Sequence, residues 1–266
     1  MSAIDQVFVK LRAAGKKAFL PFVTAGDPDI ATTEAIIRAL AQAGASITEV
    51  GVPYSDPIAD GPVIQASYQR ALESGFRLPQ LFELGKKLTS DLPMPLVTMT
   101  SYSIIHRTGM QRYVDQAKAA GYSGAIVPDL LVEEAEPLAK VCRAGDFSLI
   151  QLVTPTTPRE RQVRIAELSS GFLYFVSVTG ITGERSKMPP GLLENVAWLR
   201  EQTELPICIG FGISSAETAK ALAPVADGVI VGSAIVRRIA QAESCDAAVA
   251  SVTAFAKEIM AAIEPA

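Results

Sequence analysis

Eight short apolar runs, each followed by a stretch of helical pattern, limit what this chain can fold into more than any other feature. The runs are AFLPFVTAG (18–26), SITEVGV (46–52), PLVTMTS (95–101), GAIVPDL (124–130), FSLIQLV (147–153), FLYFVSV (172–178), LPICIGFG (205–212) and ADGVIVGS (226–233). Between them lie segments such as DIATTEAIIRALAQAG, MQRYVDQAKAAG, VEEAEPLAKVCRAG and LLENVAWLREQT, several closed by the glycine that commonly follows a helix. The runs are continuously apolar, as strands of a parallel sheet are when helices cover its outside. Eight strand-then-helix units in 266 residues predict an α/β fold, the (β/α)8 or TIM barrel. A doubly wound open sheet is the rival, but it more often shows a glycine-rich dinucleotide fingerprint after the first strand, where this chain has TAGDPD.

Extra helices are expected at three places. Ile4, Val7, Phe8 and Leu11 recur at helical spacing near the N-terminus, and further helical material follows the second run (63–90) and closes the chain (243–264). No linker, low-complexity tract or charge run divides the sequence, so one barrel domain over residues 1–266 is expected.

Composition narrows the function. The net charge is −4, with no basic excess to suggest nucleic acid or an anionic membrane surface. No signal-peptide apolar region or membrane-length run is evident. Cys142, Cys208 and Cys245 are odd in number and far apart, which suits reduced thiols and a cytoplasmic location. A single histidine, His106 in SIIHRTG, leaves little room for a His-based triad or metal site, and a plain loop or helix-entry position is expected for it.

In a barrel the reacting groups sit at the C-terminal ends of the strands. There the second run continues as TEVGVPYSDPIADGPVIQ (48–65), which places Glu49 near a strand end and Asp56 and Asp60 in a Pro- and Gly-rich turn beyond it. Strand alternation points Glu49 away from the side faced by Thr48 and Val50. Facing inward, Glu49 is an acid in an apolar mouth, where desolvation raises its pKa and fits it to move protons near neutrality. Asp60 could fold back over the same mouth, and two carboxylates in unlike surroundings can divide an acid–base task. The other reading makes Glu49 a solvated strand end and Asp56 and Asp60 ordinary turn formers.

Glycines cluster after the last three runs, in VTGITGE (178–184), IGFGISS (209–215) and VGSAIV (231–236). Turns after the seventh and eighth strands of a barrel, with a short helix N-terminus, often hold phosphate, and Ser233 adds a hydroxyl. Neither turn contains Lys or Arg. The lysines fall in helical or loop segments, where a Schiff-base enzyme needs one on a strand facing the mouth. Cleavage of a carbon–carbon bond in a sugar phosphate would then rest on acid–base chemistry and a substrate with its own electron sink.

The motifs PFVTAGDPD (21–29), EVGVPYSDPIADGPVIQ (49–65), GAIVPDL (124–130), PTTPRER (155–161), TGITGER (179–185), GFGIS (210–214) and ADGVIVGSAIV (226–236) occur in order over nearly the whole chain. In them the sequence closely resembles the tryptophan synthase alpha chains. The resemblance implies a retro-aldol cleavage of indole-3-glycerol phosphate to indole and glyceraldehyde 3-phosphate. It implies Glu49 as the main acid–base residue and Asp60 as the carboxylate that stabilises charge at the indole nitrogen. Phe22, Tyr174 and Phe211 match positions around the indole. Gly183, Gly212, Gly232 and Ser233 match phosphate-contacting turns, and Thr182 matches a lid-like loop, TGERSKMPPG (182–191).

The family works with a β subunit carrying pyridoxal phosphate (PLP), as an α2β2 assembly, and indole passes between them. Pro53, Asp56 and Pro57 match the loop facing that partner, and no cofactor or metal is expected on this chain. The sequence departs from the family at Ser101 and Ser103, where Tyr and Asn are common, and at Leu131, where proline is usual. A stand-alone indole-releasing lyase and a non-catalytic regulatory barrel subunit are the alternatives.

Overall fold

The computed structural model describes residues 2–176, 191–210 and 212–264. The strands are β1 (Ala18–Thr24), β2 (Thr48–Gly51), β3 (Leu96–Met99), β4 (Tyr122–Ile126), β5 (Ser148–Ile150), β6 (Leu152–Val153), β7 (Leu173–Val176), β8 (Ile207–Gly210) and β9 (Gly228–Val231). The helices are α1 (Ala3–Ala13), α2 (Ile30–Gln42), α3 (Pro62–Glu73), α4 (Leu78–Thr89), α5 (Tyr102–Thr108) and α6 (Met110–Ala119). They continue with α7 (Ala135–Ala144), α8 (Arg159–Leu168), α9 (Leu192–Arg200), α10 (Ala216–Leu222), α11 (Ser233–Gln241) and α12 (Cys245–Ile263).

The strands are parallel and ordered β5-β4-β3-β2-β1-β9-β8-β7-β6. β5 and β6 come from one expected strand, 147–153, which breaks at the buried Gln151. β5 pairs with β4 and β6 pairs with β7, so the two ends of the sheet are halves of the same run. The Tyr174 amide donates to Gln151 O at 3.1 Å across this seam. Tilted strands must shift register to close a barrel, and a strand serving two neighbours meets that demand. The result is a nearly closed (β/α)8 barrel with nine strand segments in eight strand positions.

Strand alternation divides the core in two. Leu20, Ile47, Val97, Ile126, Ile150, Phe172 and Ile230 fill the barrel interior, while Phe19, Val50, Leu96, Leu149, Phe175 and Val229 pack outward against the helices. The expected N-terminal helix exists as α1. Ser2 and Asp5 form its capping box, and Ile4 and Phe8 plug the lower end of the barrel against Phe172. The extra material after β2 becomes α3 and α4, and α12 closes over α2, α10 and α11.

Candidate active site

β1 and β2 carry the two residues at the heart of the upper mouth. Their register pairs Phe22 with Glu49, and Glu49 in turn pairs with Val97 of β3. Phe22, Glu49, Ile64, Met99, Tyr174 and Ile230 line one cleft, joined by Asp60 and by the turns at Gly212 and Gly232. Glu49 is 0% exposed, and neither carboxyl oxygen has a hydrogen-bond partner among the described residues. Burial without a counter-charge disfavours the ionised form and pushes the Glu49 carboxyl well above the usual carboxylate range. An acid aimed into a cleft with both oxygens unpaired is free to bind and protonate what enters.

Two glycines at strand ends make room for the rings around it. A Cβ on Gly51 would overlap the Phe22 ring and come within 3.0 Å of the Tyr68 hydroxyl. One on Gly210 would lie 2.5 Å from the Tyr174 hydroxyl. Only glycine lets both rings lie flat against the strand ends.

Asp60 reaches the cleft because the loop after β2 is tied back to the helix it enters. Gly61 and Pro62 start α3, with proline in the first turn, where its missing N–H costs nothing. One turn on, Gln65 Nε2 donates to Asp60 O at 2.8 Å and to Pro57 O at 3.3 Å. α3 itself is moored to β1 and its loop. Ser67 Oγ meets Thr24 Oγ1 at 2.7 Å, and Arg70 makes two bonds of 2.8 and 2.7 Å to the buried Asp27 carboxylate. Desolvation, then the nearby Asp129 charge, pushes the Asp60 carboxyl up to about 7.

The far side of the cleft is formed by glycine turns and a helix N-terminus. Gly212 takes a left-handed φ of 82°, and Gly232 caps α11 with no side chain over the helix end. Ser233 and Ala234 open the helix there and line the cleft, and their amides are the orphan donors of a helix N-terminus.

The structure thus brings Phe22, Glu49, Asp60, Tyr174, Gly212, Gly232 and Ser233 together. Thr182, Gly183 and Phe211 lie outside the described residues, as does most of the 182–191 loop. Pro53 is buried, while Asp56 is exposed and Pro57 half-buried. Ile58, which sequence reading passed over, is 87% exposed at the tip of the same loop. Ile64, Met99 and Gln65 were also missed. Ile64 and Gln65 close the motif 49–65 on the first turn of α3, and alternation in β3 would have pointed to Met99. His106 lies in the last turn of α5, not at a loop or helix entry, and is exposed. No lysine among the described residues is on a strand, and no group of three or more metal-ligating side chains occurs among them.

Fold and site define a (β/α)8-barrel protein in which two buried or half-buried carboxyl groups, Glu49 and Asp60, share one cleft with the N-terminus of α11. Comparison with known proteins agrees with that class and narrows it. Residues 8–264 match the family model described as tryptophan synthase alpha chain. The tryptophan synthase alpha chain of Rhodopirellula baltica is 68% identical over 245 residues, covering 91% of this chain and 88% of its own length. Among solved structures, the tryptophan synthase of Mycobacterium tuberculosis superposes with a TM-score of 0.91 at 32% identity, covering 100% of this chain and 99% of its own. The alpha subunit from Legionella pneumophila gives 0.91 at 33%, covering 99% and 98%. The chain belongs to the tryptophan synthase alpha chain family, and with it to the carbon–carbon lyases of tryptophan biosynthesis.

Proposed function

We propose that Glu49 and Asp60 divide the proton chemistry of the family's reaction, the cleavage of indole-3-glycerol phosphate to indole and glyceraldehyde 3-phosphate. The observation behind this reading is the pairing of an orphaned, fully buried carboxyl with a second raised carboxyl in one cleft. Protonated Glu49 gives its proton to indole C3. Positive charge develops at the indole nitrogen, and anionic Asp60 accepts the N–H and stabilises that charge. The resulting iminium-like ring is the electron sink. Glu49, now a carboxylate, takes the proton of the glycerol hydroxyl next to the ring. The carbon–carbon bond breaks, its electrons return to the ring, and an aldehyde is left on the phosphorylated fragment.

Phe22 and Tyr174 hold the indole, while Gly212, Gly232 and Ser233 hold the phosphate at the α11 end. Thr182, Gly183 and Phe211 complete the set by resemblance. The whole chain acts as one barrel domain in the cytoplasm. No helix among the described residues is long and apolar enough to cross a membrane. The chemistry draws on no cofactor here, PLP belonging to the β subunit that receives the indole. Exposed Asp56 and Ile58, with Pro53 and Pro57 shaping the loop, face that partner in an α2β2 assembly.

Indole release by the purified chain, with and without β subunit, tests this reading. Turnover that the β subunit accelerates and Glu49→Gln abolishes is expected. A folded wild type inactive under both conditions would overturn it.

A further inference from the structure

We propose that Asp129, anchored by the Ser101 hydroxyl and the Tyr102 amide, is a positioning residue that acts through Asp60 and keeps it a strong proton acceptor. This rests on the reading that Asp60 serves the indole nitrogen.

Asp129 follows β4, at the same end of the barrel as the cleft. With Asp60, Tyr54, Tyr68 and Ser101 it lines a small cavity beside that cleft. Its Oδ2 accepts from Ser101 Oγ at 2.7 Å and its Oδ1 from the Tyr102 amide at 2.8 Å. Each oxygen thus has its own donor. Ser103 Oγ lies 2.7 Å from Ser101 Oγ, and since Ser101 spends its one proton on Asp129, Ser103 donates to Ser101. A relay of two hydroxyls therefore ends on a carboxyl group that lines one small cavity with Asp60. Ser101 and Ser103 are two of the three positions where this chain departs from the family pattern, and through Ser101 they supply one of the two bonds that anchor Asp129.

The other titratable groups around Asp60 are Glu49 from β2, Tyr54 from the loop after it, Tyr68 from α3 and Tyr174 from β7. Burial favours the neutral form of each. Asp129 is the neighbour whose charge raises the proton affinity of Asp60. A like charge held in place makes Asp60 a better base for a developing N–H cation, and it costs ionised Asp60 at low pH.

Asp129→Asn separates this role from a merely structural one, because asparagine still accepts from the Tyr102 amide but has no charge. The Asp60 carboxyl is titrated by 13C NMR of the full chain, and indole release with the β subunit is followed across pH. In Asp129→Asn the Asp60 midpoint is expected to fall by roughly half a pH unit or more. The acid limb of kcat/KM should move with it, and kcat on the plateau should drop about threefold or more with little change in KM.

Ser101→Ala, which removes one anchor, gives a smaller change in the same direction and covers the case of a misfolded Asp129→Asn. An unchanged Asp60 midpoint in the folded variants overturns the inference, even with wild type active. An inactive wild type overturns the underlying reading instead, and the NMR titration still decides whether Asp129 acts on Asp60.

Discussion

Phe22 and Glu49 are paired neighbours on adjacent strands, and both side chains point into the mouth of the barrel. The ring therefore walls off the carboxyl from water on one side, and the same register that builds the ladder sets the acidity of the group. Burial alone raises the Glu49 carboxyl well above its usual range, because no described residue offers its oxygens a hydrogen bond.

Replacing that acid removes both proton transfers. Glu49→Gln keeps shape and polarity, so the fold should persist while indole release falls by about 10²–10⁴-fold. Steady-state kinetics beside a thermal melt checks this. A variant with near wild-type turnover would move the acid–base role elsewhere.

The same substitution should stabilise the protein, and more so as pH rises. The folded-state pKa of Glu49 lies above its ordinary value of 4.5, so the native state holds a proton that the unfolded state has lost. Stability then declines as pH climbs from about 4.5 towards the folded pKa. The glutamine side chain that replaces it does not titrate. Melts at pH 5 and pH 8 should show a gap in favour of Glu49→Gln that widens to roughly 1–3 kcal/mol at the higher pH.

Asp60 predicts the opposite limb in catalysis. It must be ionised to stabilise a cation, and its pKa is about 7. As pH falls through that value it takes up a proton, and kcat/KM of the free enzyme should fall with it. Asp60→Asn should lack this limb and turn over about 10²-fold or more slowly.

Gly210→Ala tests the packing around Tyr174. The added methyl meets the Tyr174 hydroxyl at 2.5 Å and must push the ring towards the cleft. A loss of about tenfold or more in kcat/KM is expected, with a melt close to wild type. Equal kinetics would mean that Tyr174 does not bound the substrate.

Arg70→Ala tests the mooring of α3. Asp27 is 2% exposed and would be left buried without its cation. Arg70 is open to water on one side, so a cost of about 2 kcal/mol in chemical denaturation is expected, less than for a fully enclosed pair. Activity should fall as well, because α3 holds the Asp60 loop through Gln65.

Much of this was legible in the chain itself. The eight runs emerged as strands, except that 147–153 is divided between two neighbours at Gln151. β1 serves two neighbours without a break, so closure alone does not force the split, which leaves no mark in local hydrophobicity. Period-two alternation set Glu49 opposite Thr48 and Val50 but left open whether it faced the mouth or water, and the glycines marked the turns that line the cleft at Gly212 and Gly232. Asp129 carried a weaker signal. It lies in the run GAIVPDL, where a strand-end acid is worth notice, but its partners Ser101 and Tyr102 come from the preceding unit.

Hydrophobic periodicity and the spacing of Gly, Pro and acids determined the barrel class, the strand carrying the acid and the glycine turns beyond the last strands. Those are local properties, written within a few residues of each position. The unpaired state of Glu49, the raised proton affinity of Asp60 and the seating of Asp129 beside it were decided only by tertiary structure. Desolvation and charge–charge effects depend on what lies within a few ångströms in space. The groups that fix them here stand far apart in the chain; Asp60 and Asp129 are separated by 69 residues.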